Sequence, residues 1–244
     1  MLGFTRFLTA GLLIITTSAL YGQTIATRSF HRVIVSPFIE ATFIQGDEER
    51  VVIDHSVVDP DKLHIETSNG TLRIYLEGAK VVPRNSREIR NRTGQLYPDH
   101  AVSATIYYKT LDALSLRGDE RFTVVSPLSA DYFTLKLYGE SAITFAKVHI
   151  NNLHTAIYGE SSVEIQSGSV NKQSYTCYGE GKVNTTAISS EEAKLTSYGE
   201  SYFRMNVSER IRITSFGEAK LRYKGNAQIV RGINVGGVDV ARLD

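Results

Sequence analysis

One tripeptide, Tyr-Gly-Glu, returns at almost constant spacing through the second half of the chain and restricts the available folds more than any other feature. It occurs in LKLYGESAITF (Leu135 to Phe145), TAIYGESSVEI (Thr155 to Ile165), YTCYGEGKVNT (Tyr175 to Thr185) and LTSYGESYFRM (Leu195 to Met205). A fifth copy, ITSFGEAKLRY (Ile213 to Tyr223), has Phe in place of Tyr. The glycines are Gly139, Gly159, Gly179, Gly199 and Gly217, separated by 20, 20, 20 and 18 residues. Internal repetition at such a period is the signature of stacked architectures.

Around each glycine the side chains alternate with a period of two, which belongs to strands. Two before the glycine stand Leu137, Ile157, Cys177, Ser197 and Ser215; two after it stand Ser141, Ser161, Gly181, Ser201 and Ala219. Four after come Ile143, Val163, Val183, Phe203 and Leu221, all apolar. The opposite parity carries Tyr138, Glu140, Tyr158, Glu160, Tyr178, Glu180, Tyr198, Glu200, Phe216 and Glu218, with Lys182, Arg204, Lys220 and Arg222. One face is therefore buried and the other wet. Cys177 falls on the buried parity and reads as packing.

Identical residues at identical phase imply coils stacked in register, and the simplest such object is a parallel β-solenoid. Each coil would lie about 4.8 Å above the last. The five glycines read as structural turns, where positive φ is allowed and a side chain would collide with the coil above. An antiparallel sandwich or meander also alternates and ranks second, because a directional motif would not stack on itself there.

The first half shows shorter alternating runs, FHRVIVSPFIEATFIQG, VVIDH, KLHIET, TLRIYLEG and AVSATIYYKTLDALSLRG, and no segment of helical period. Gly46-Asp47 and Asn69-Gly70 read as hairpin turns. Gly118, 21 residues before Gly139, marks a degenerate coil, and INVGGVDVARLD a terminal, imperfect one. Val81 to His100, with Arg84, Arg87, Arg90 and Arg92, reads as a solvated loop, an anionic ligand site being the lesser reading. These boundaries divide the chain into a leader at 1–22, a β-rich region at 23–126 and a solenoid repeat region at 127–244, with the sheets expected to continue across the last division.

The leader has one charge, Arg6, then an apolar run from Phe7 to about Leu20, and reads as a secretory signal peptide cleaved after Gly22, or alternatively after Ala19. The expected mature protein is exported to the periplasm, outer-membrane surface or extracellular space, with no transmembrane span. Beyond Arg6, 26 basic residues balance 26 acidic ones, which gives no electrostatic case for nucleic acid. A single cysteine excludes an internal disulfide framework.

The leader, the opening F-x-x-V-x-V (Phe30, Val33, Val35) running into FIQGDEERVVID, the L-x-I-x-x-x-x-G-x-L-x-I passage from Leu63 to Ile74, and the glycine-centred repeats together resemble the head GIN domain family of putative auto-transporter adhesins. The resemblance covers most of the expected mature chain. It implies an exported protein of Bacteroidetes type and an all-β fold, a right-handed parallel β-helix or β-solenoid. It carries no catalytic residues over. The repeats depart from the family's more usual Ser-Gly-Ser-Gly by placing Tyr-Gly-Glu at the corner.

Stacking places Tyr138, Tyr158, Tyr178, Tyr198 and Phe216 in one outward column and Glu140, Glu160, Glu180, Glu200 and Glu218 in the next. Aromatic stacking alone could account for the first. Carboxylates about 5 Å apart repel by roughly 0.8 kcal/mol even in bulk water, so stability does not account for the second. The leading expectation is a non-catalytic, adhesin-like module whose ring and acid columns form a strip for a glycan or other cell-surface polymer, with rings packing on sugar faces. A structural envelope protein without a small ligand is the alternative. A carbohydrate-active enzyme, with Glu140 and Glu160 as an acid and base pair, ranks last, because five near-identical carboxylates provide no asymmetry to separate their pKa values. No catalytic residue, metal site or cofactor is assigned, and oligomeric state is left open. Calcium between neighbouring glutamates would have few ligands. Asp54, His55, Asp59, Asp61 and His64 read as a turn, a metal site being the lesser reading; His149 and His154 read as coil-corner residues.

Overall fold

Alternation turns every longer element of this chain into a strand with one apolar side, and the computed structural model describes residues 22–79 and 96–243 as 18 strands and one 3-10 turn, Pro60–Lys62. The expected leader (except Gly22) and the arginines of the 81–100 insertion lie outside the described residues.

The regular coils are pairs of strands on either side of a bend: β2 (Arg32–Val35) with β3 (Ile39–Gln45), β8 (Ala113–Gly118) with β9 (Arg121–Val124), β10 (Leu128–Gly139) with β11 (Ala142–Phe145), β12 (Val148–Gly159) with β13 (Ser162–Ile165), and β14 (Gly168–Gly179) with β15 (Gly181–Thr185). In the last three coils one strand runs through the bend: β16 (Glu192–Asn206), β17 (Arg210–Lys224) and β18 (Gln228–Arg242). Parallel ladders join each coil to the next, so Gly118, Gly139, Gly159 and Gly179 form one column and Gly199, Gly217 and Gly236 carry it on. This is the β-solenoid anticipated from the repeat. Gly118 and Gly236 extend the five expected corner positions at both ends. Ladders cross positions 126 and 127, since β10 pairs with β8 and β11 with β9.

The corner glycines have φ from 97° to 143° between Gly139 and Gly217, a region closed to most side chains. A Cβ on Gly179 would stand 2.8 Å from the carbonyl oxygen of Gly159, and one on Gly199 2.7 Å from that of Gly179. The obstruction is thus the preceding coil rather than the following one, and it is backbone, which cannot move aside. In the β2–β3 coil the bend is made without glycine. Phe38 adopts φ 70°, and its N–H donates to Glu120 Oε1 at 2.7 Å.

The first end of the rod is closed by strands of opposite sense. β5 (Leu63–Ser68) and β6 (Thr71–Leu76) form a hairpin across Asn69-Gly70, both at positive φ, and β6 pairs in parallel with β2. β7 (Val102–Tyr108) lies parallel to β3; β4 (Arg50–Ser56) is antiparallel to β7, and β1 (Gln23–Ala26) to β4. The Gly46-Asp47 turn is therefore not a hairpin: the strands it joins, β3 and β4, both pair with β7 instead of with each other. His149 and His154 are both exposed within β12, on either side of a break in its alternation at Asn151 and Asn152.

Inside, Phe133 packs edge-on against Phe145 at 6.0 Å, and Tyr175 is tilted on Phe203 at 6.4 Å. Each such fully buried side chain contributes about 1.5 to 3 kcal/mol. The buried phenol of Tyr175 needs a partner, and it donates to Gln173 Oε1, which also accepts from Thr185, while Gln173 Nε2 donates to Ser190 at 2.7 Å. Burial pushes the Tyr175 hydroxyl pKa far up and raises that of the Cys177 thiol to about 11, keeping both neutral.

Candidate functional site

Because successive coils are in register, equivalent outward residues on the two sides of the glycine column become two continuous lines. Before the glycine, Tyr138, Tyr158, Tyr178, Tyr198 and Phe216 stack with centroids 4.8 to 5.1 Å apart and ring planes within 6° of parallel. Tyr158, Tyr178, Tyr198 and Phe216 are each about 40% exposed. Both faces of Tyr158, Tyr178 and Tyr198 are turned to neighbouring rings, so what solvent meets is ring edges and hydroxyls. Sugar faces cannot lie on these rings without parting the stack. The column is closed below by the Arg117 guanidinium, 5.4 Å from the Tyr138 ring centre, and above by Val235, the ladder partner of Phe216.

After the glycine, Glu140, Glu160, Glu180, Glu200 and Glu218 are all exposed. Asp119 continues the acidic line beneath Glu140, whose backbone N–H donates to its Oδ1 at 3.3 Å; Gly237 ends it above Glu218. A shallow recess of about 340 Å³ runs beside this line, with Glu180, Glu200 and Glu218 on one side and Lys182, Tyr202 and Lys220 on the other. The lysines offset part of the repulsion between the carboxylates. Arg117 and Asp119 were not among the residues expected from sequence; the 21-residue step from Gly118 to Gly139 was the signal that could have placed them.

The corner beneath these columns is tied down by serines. Ser141 and Ser161 hydroxyls donate to the carbonyls of Gly118 and Gly139, at 2.8 and 3.0 Å, each one coil back. At Gly181 the serine is missing, and a Cβ there would strike the Sγ of Cys177. The same position one coil before Ser141 holds Glu120, only 5% exposed. Desolvation raises its carboxyl pKa to about 7 against the pull of the Phe38 N–H, and its Oε2 has no hydrogen-bond partner. This perturbed carboxyl faces the interior of the corner and not the strip.

The remaining sequence candidates do not converge. Asp54 accepts a hydrogen bond from Thr105 at 2.8 Å, and His64 stacks on Tyr75 with centroids 4.8 Å apart. Among the described residues no three His, Cys, Asp or Glu side chains come together in a way that could hold a metal ion. No helix among them is long and apolar enough to cross a membrane.

A family model described as putative auto-transporter adhesin, head GIN domain, matches residues 29–227. Among solved structures, the chain is similar to a putative adhesin from Bacteroides fragilis (13% identity, 93% of this chain and 98% of that one, TM-score 0.71) and to a putative adhesin from Parabacteroides merdae (16% identity, 91% and 95%, TM-score 0.63). It is also similar to a putative lipid binding protein from Parabacteroides distasonis (16% identity, 90% and 95%, TM-score 0.61). At these identities the likeness shows a shared fold. No curated protein matches the chain.

Proposed function

Because the chain belongs to the head GIN domain family of putative auto-transporter adhesins, we propose that it is an exported, non-catalytic binding module that recognises a repeating cell-surface polymer along its ring and acid columns. The observation that carries this reading is repetition: one phenol or phenyl edge and one carboxylate are offered per coil, five times over, on an exposed surface. A polymer with hydrogen-bond donors at regular intervals can engage several coils at once, and such linked contacts multiply a weak single interaction. A glycan fits through its hydroxyls, donating to carboxylates and exchanging hydrogen bonds with tyrosine hydroxyls. The contact is edgewise, since the ring faces are taken.

Against catalysis stands the sameness of the five glutamates, which share one environment repeated coil after coil. The perturbed carboxyl, Glu120, is buried away from solvent.

The test keeps the ring stack and removes what a ligand would touch. Tyr158→Phe, Tyr178→Phe and Tyr198→Phe together preserve stacking; Glu160→Gln, Glu180→Gln and Glu200→Gln together preserve shape. Both triple variants should lose retention on a glycan array while melting within a few degrees of the parent. Undiminished retention in both would show that the strip is not the binding surface, and a parent protein retained by no glycan would favour a structural envelope role.

A further inference from the structure

On the arm of each coil that precedes the ring column lies a second surface, and its charges are poorly balanced. A concave groove of about 510 Å³ crosses β12, β14, β16 and β17, and its charged walls are Lys172, Lys194, Arg210 and Arg212 against one carboxylate, Glu192, with His154 at one end. Glu192 is engaged by Arg210, Oε1 to Nη2 at 2.7 Å. Lys194 and Arg212 are directly opposite each other on neighbouring parallel strands, and neither forms an ion pair with any described residue. Like charges in that arrangement destabilise a sheet, so the pair is unexplained by folding. In a chain whose net charge is only +1, four cations around one acid are a local segregation.

We propose that this groove binds an acidic glycan, a sugar chain bearing carboxylate groups, with Lys194 and Arg212 gripping the acid. The column between the groove and the tyrosines supports a sugar ligand. Thr176, Thr196 and Thr214 are ladder partners one above another, half-buried, and present a line of hydroxyls at coil spacing. Nucleic acid fits less well. Single strands are held by stacking on free aromatic faces, and the rings beside this groove give theirs to one another. The inference goes beyond the strip reading and stands on different residues, so the tyrosine and glutamate variants above leave it untouched.

The experiment is calorimetric titration of the protein with polygalacturonate and with its fully methyl-esterified form at low salt. Polygalacturonate should bind and the neutral ester should not. Lys194→Gln with Arg212→Gln should weaken binding about tenfold or more, since each removes a charge-assisted hydrogen bond. The same double variant should melt no lower than the parent, because it relieves a like-charge contact. Arg121→Gln with Lys147→Gln removes equal charge outside the groove and should bind as the parent does. The proposal is overturned if polygalacturonate does not bind, if the ester binds equally, if the groove variant keeps full affinity, or if the control variant weakens binding as much. Tighter binding of duplex DNA at matched charge would also overturn it and reassign the groove to nucleic acid.

Discussion

Glu120 is where one residue's chemistry bears most directly on stability. Its carboxyl is neutralised at about pH 7 in the folded chain against an ordinary 4.5, so between these values the folded state holds a proton that the unfolded state has lost. Protonation therefore favours folding. The contribution is fully present below about pH 4.5 and is lost as pH rises to 7, a change on the order of 3 kcal/mol. Glutamine keeps an acceptor for the Phe38 N–H and cannot ionise. Urea unfolding of the parent and of Glu120→Gln at pH 5 and pH 8 should show the variant gaining on the parent at the higher pH; equal gains at both values would refute the assignment. Little of this is legible in sequence, where Glu120 stands in a position that the five repeats fill with Ser, Gly or Ala. The glycine column was legible because only glycine accepts positive φ against a neighbouring carbonyl. The Phe38 corner was hidden for the same reason, since it reaches positive φ without glycine.

Among the elements, the ring column shows what repetition gives. Each interior ring has two parallel neighbours, and a stacked pair is worth about 0.5 to 1.5 kcal/mol beyond burial. Tyr178→Ala breaks two pairs and should cost about 1 to 3 kcal/mol, whereas Tyr178→Phe should cost almost nothing; thermal melts of the two variants decide it. An equal loss in both would mean that the hydroxyl, and not the stack, stabilises the coil. Parity alone identifies every member of this column. What parity could not supply was ring orientation, which turns the faces toward one another and changes the kind of ligand contact. Strand sense was equally hidden. Alternation is the same in both directions, so β4 and β1 looked like any other strand and the Gly46-Asp47 turn looked like a hairpin.

At the scale of the molecule the rod has two different ends. One is closed by β4 and β5, which run against the grain of the coils, and by β1, which pairs antiparallel with β4. At the other, β18 pairs with β17 on one side and with no described strand on the next, leaving Ile233 and Val235 more than 60% exposed. An irregularity in register between Ile213 and Ser215, with Arg231, Asp239 and Arg242 along the strand, makes that edge a poor template for further pairing. The 20-residue period fixed the coil count of the second half. At the closed end the Asn69-Gly70 hairpin was legible, whereas the pairings of β4 with β7 and of β1 with β4 were not, because they join strands far apart in sequence.

Both proposed binding surfaces require the outward columns to run straight along the rod. Nitroxide labels on cysteines placed at Asp119 and, in turn, Glu200, Glu218 and Gly237 measure this by pulsed electron resonance. With four, five and six coil steps of about 4.8 Å, the backbone separations should grow evenly through about 19, 24 and 29 Å. Distances that fail to increase with the number of intervening coils would contradict the columns and the binding surfaces built on them.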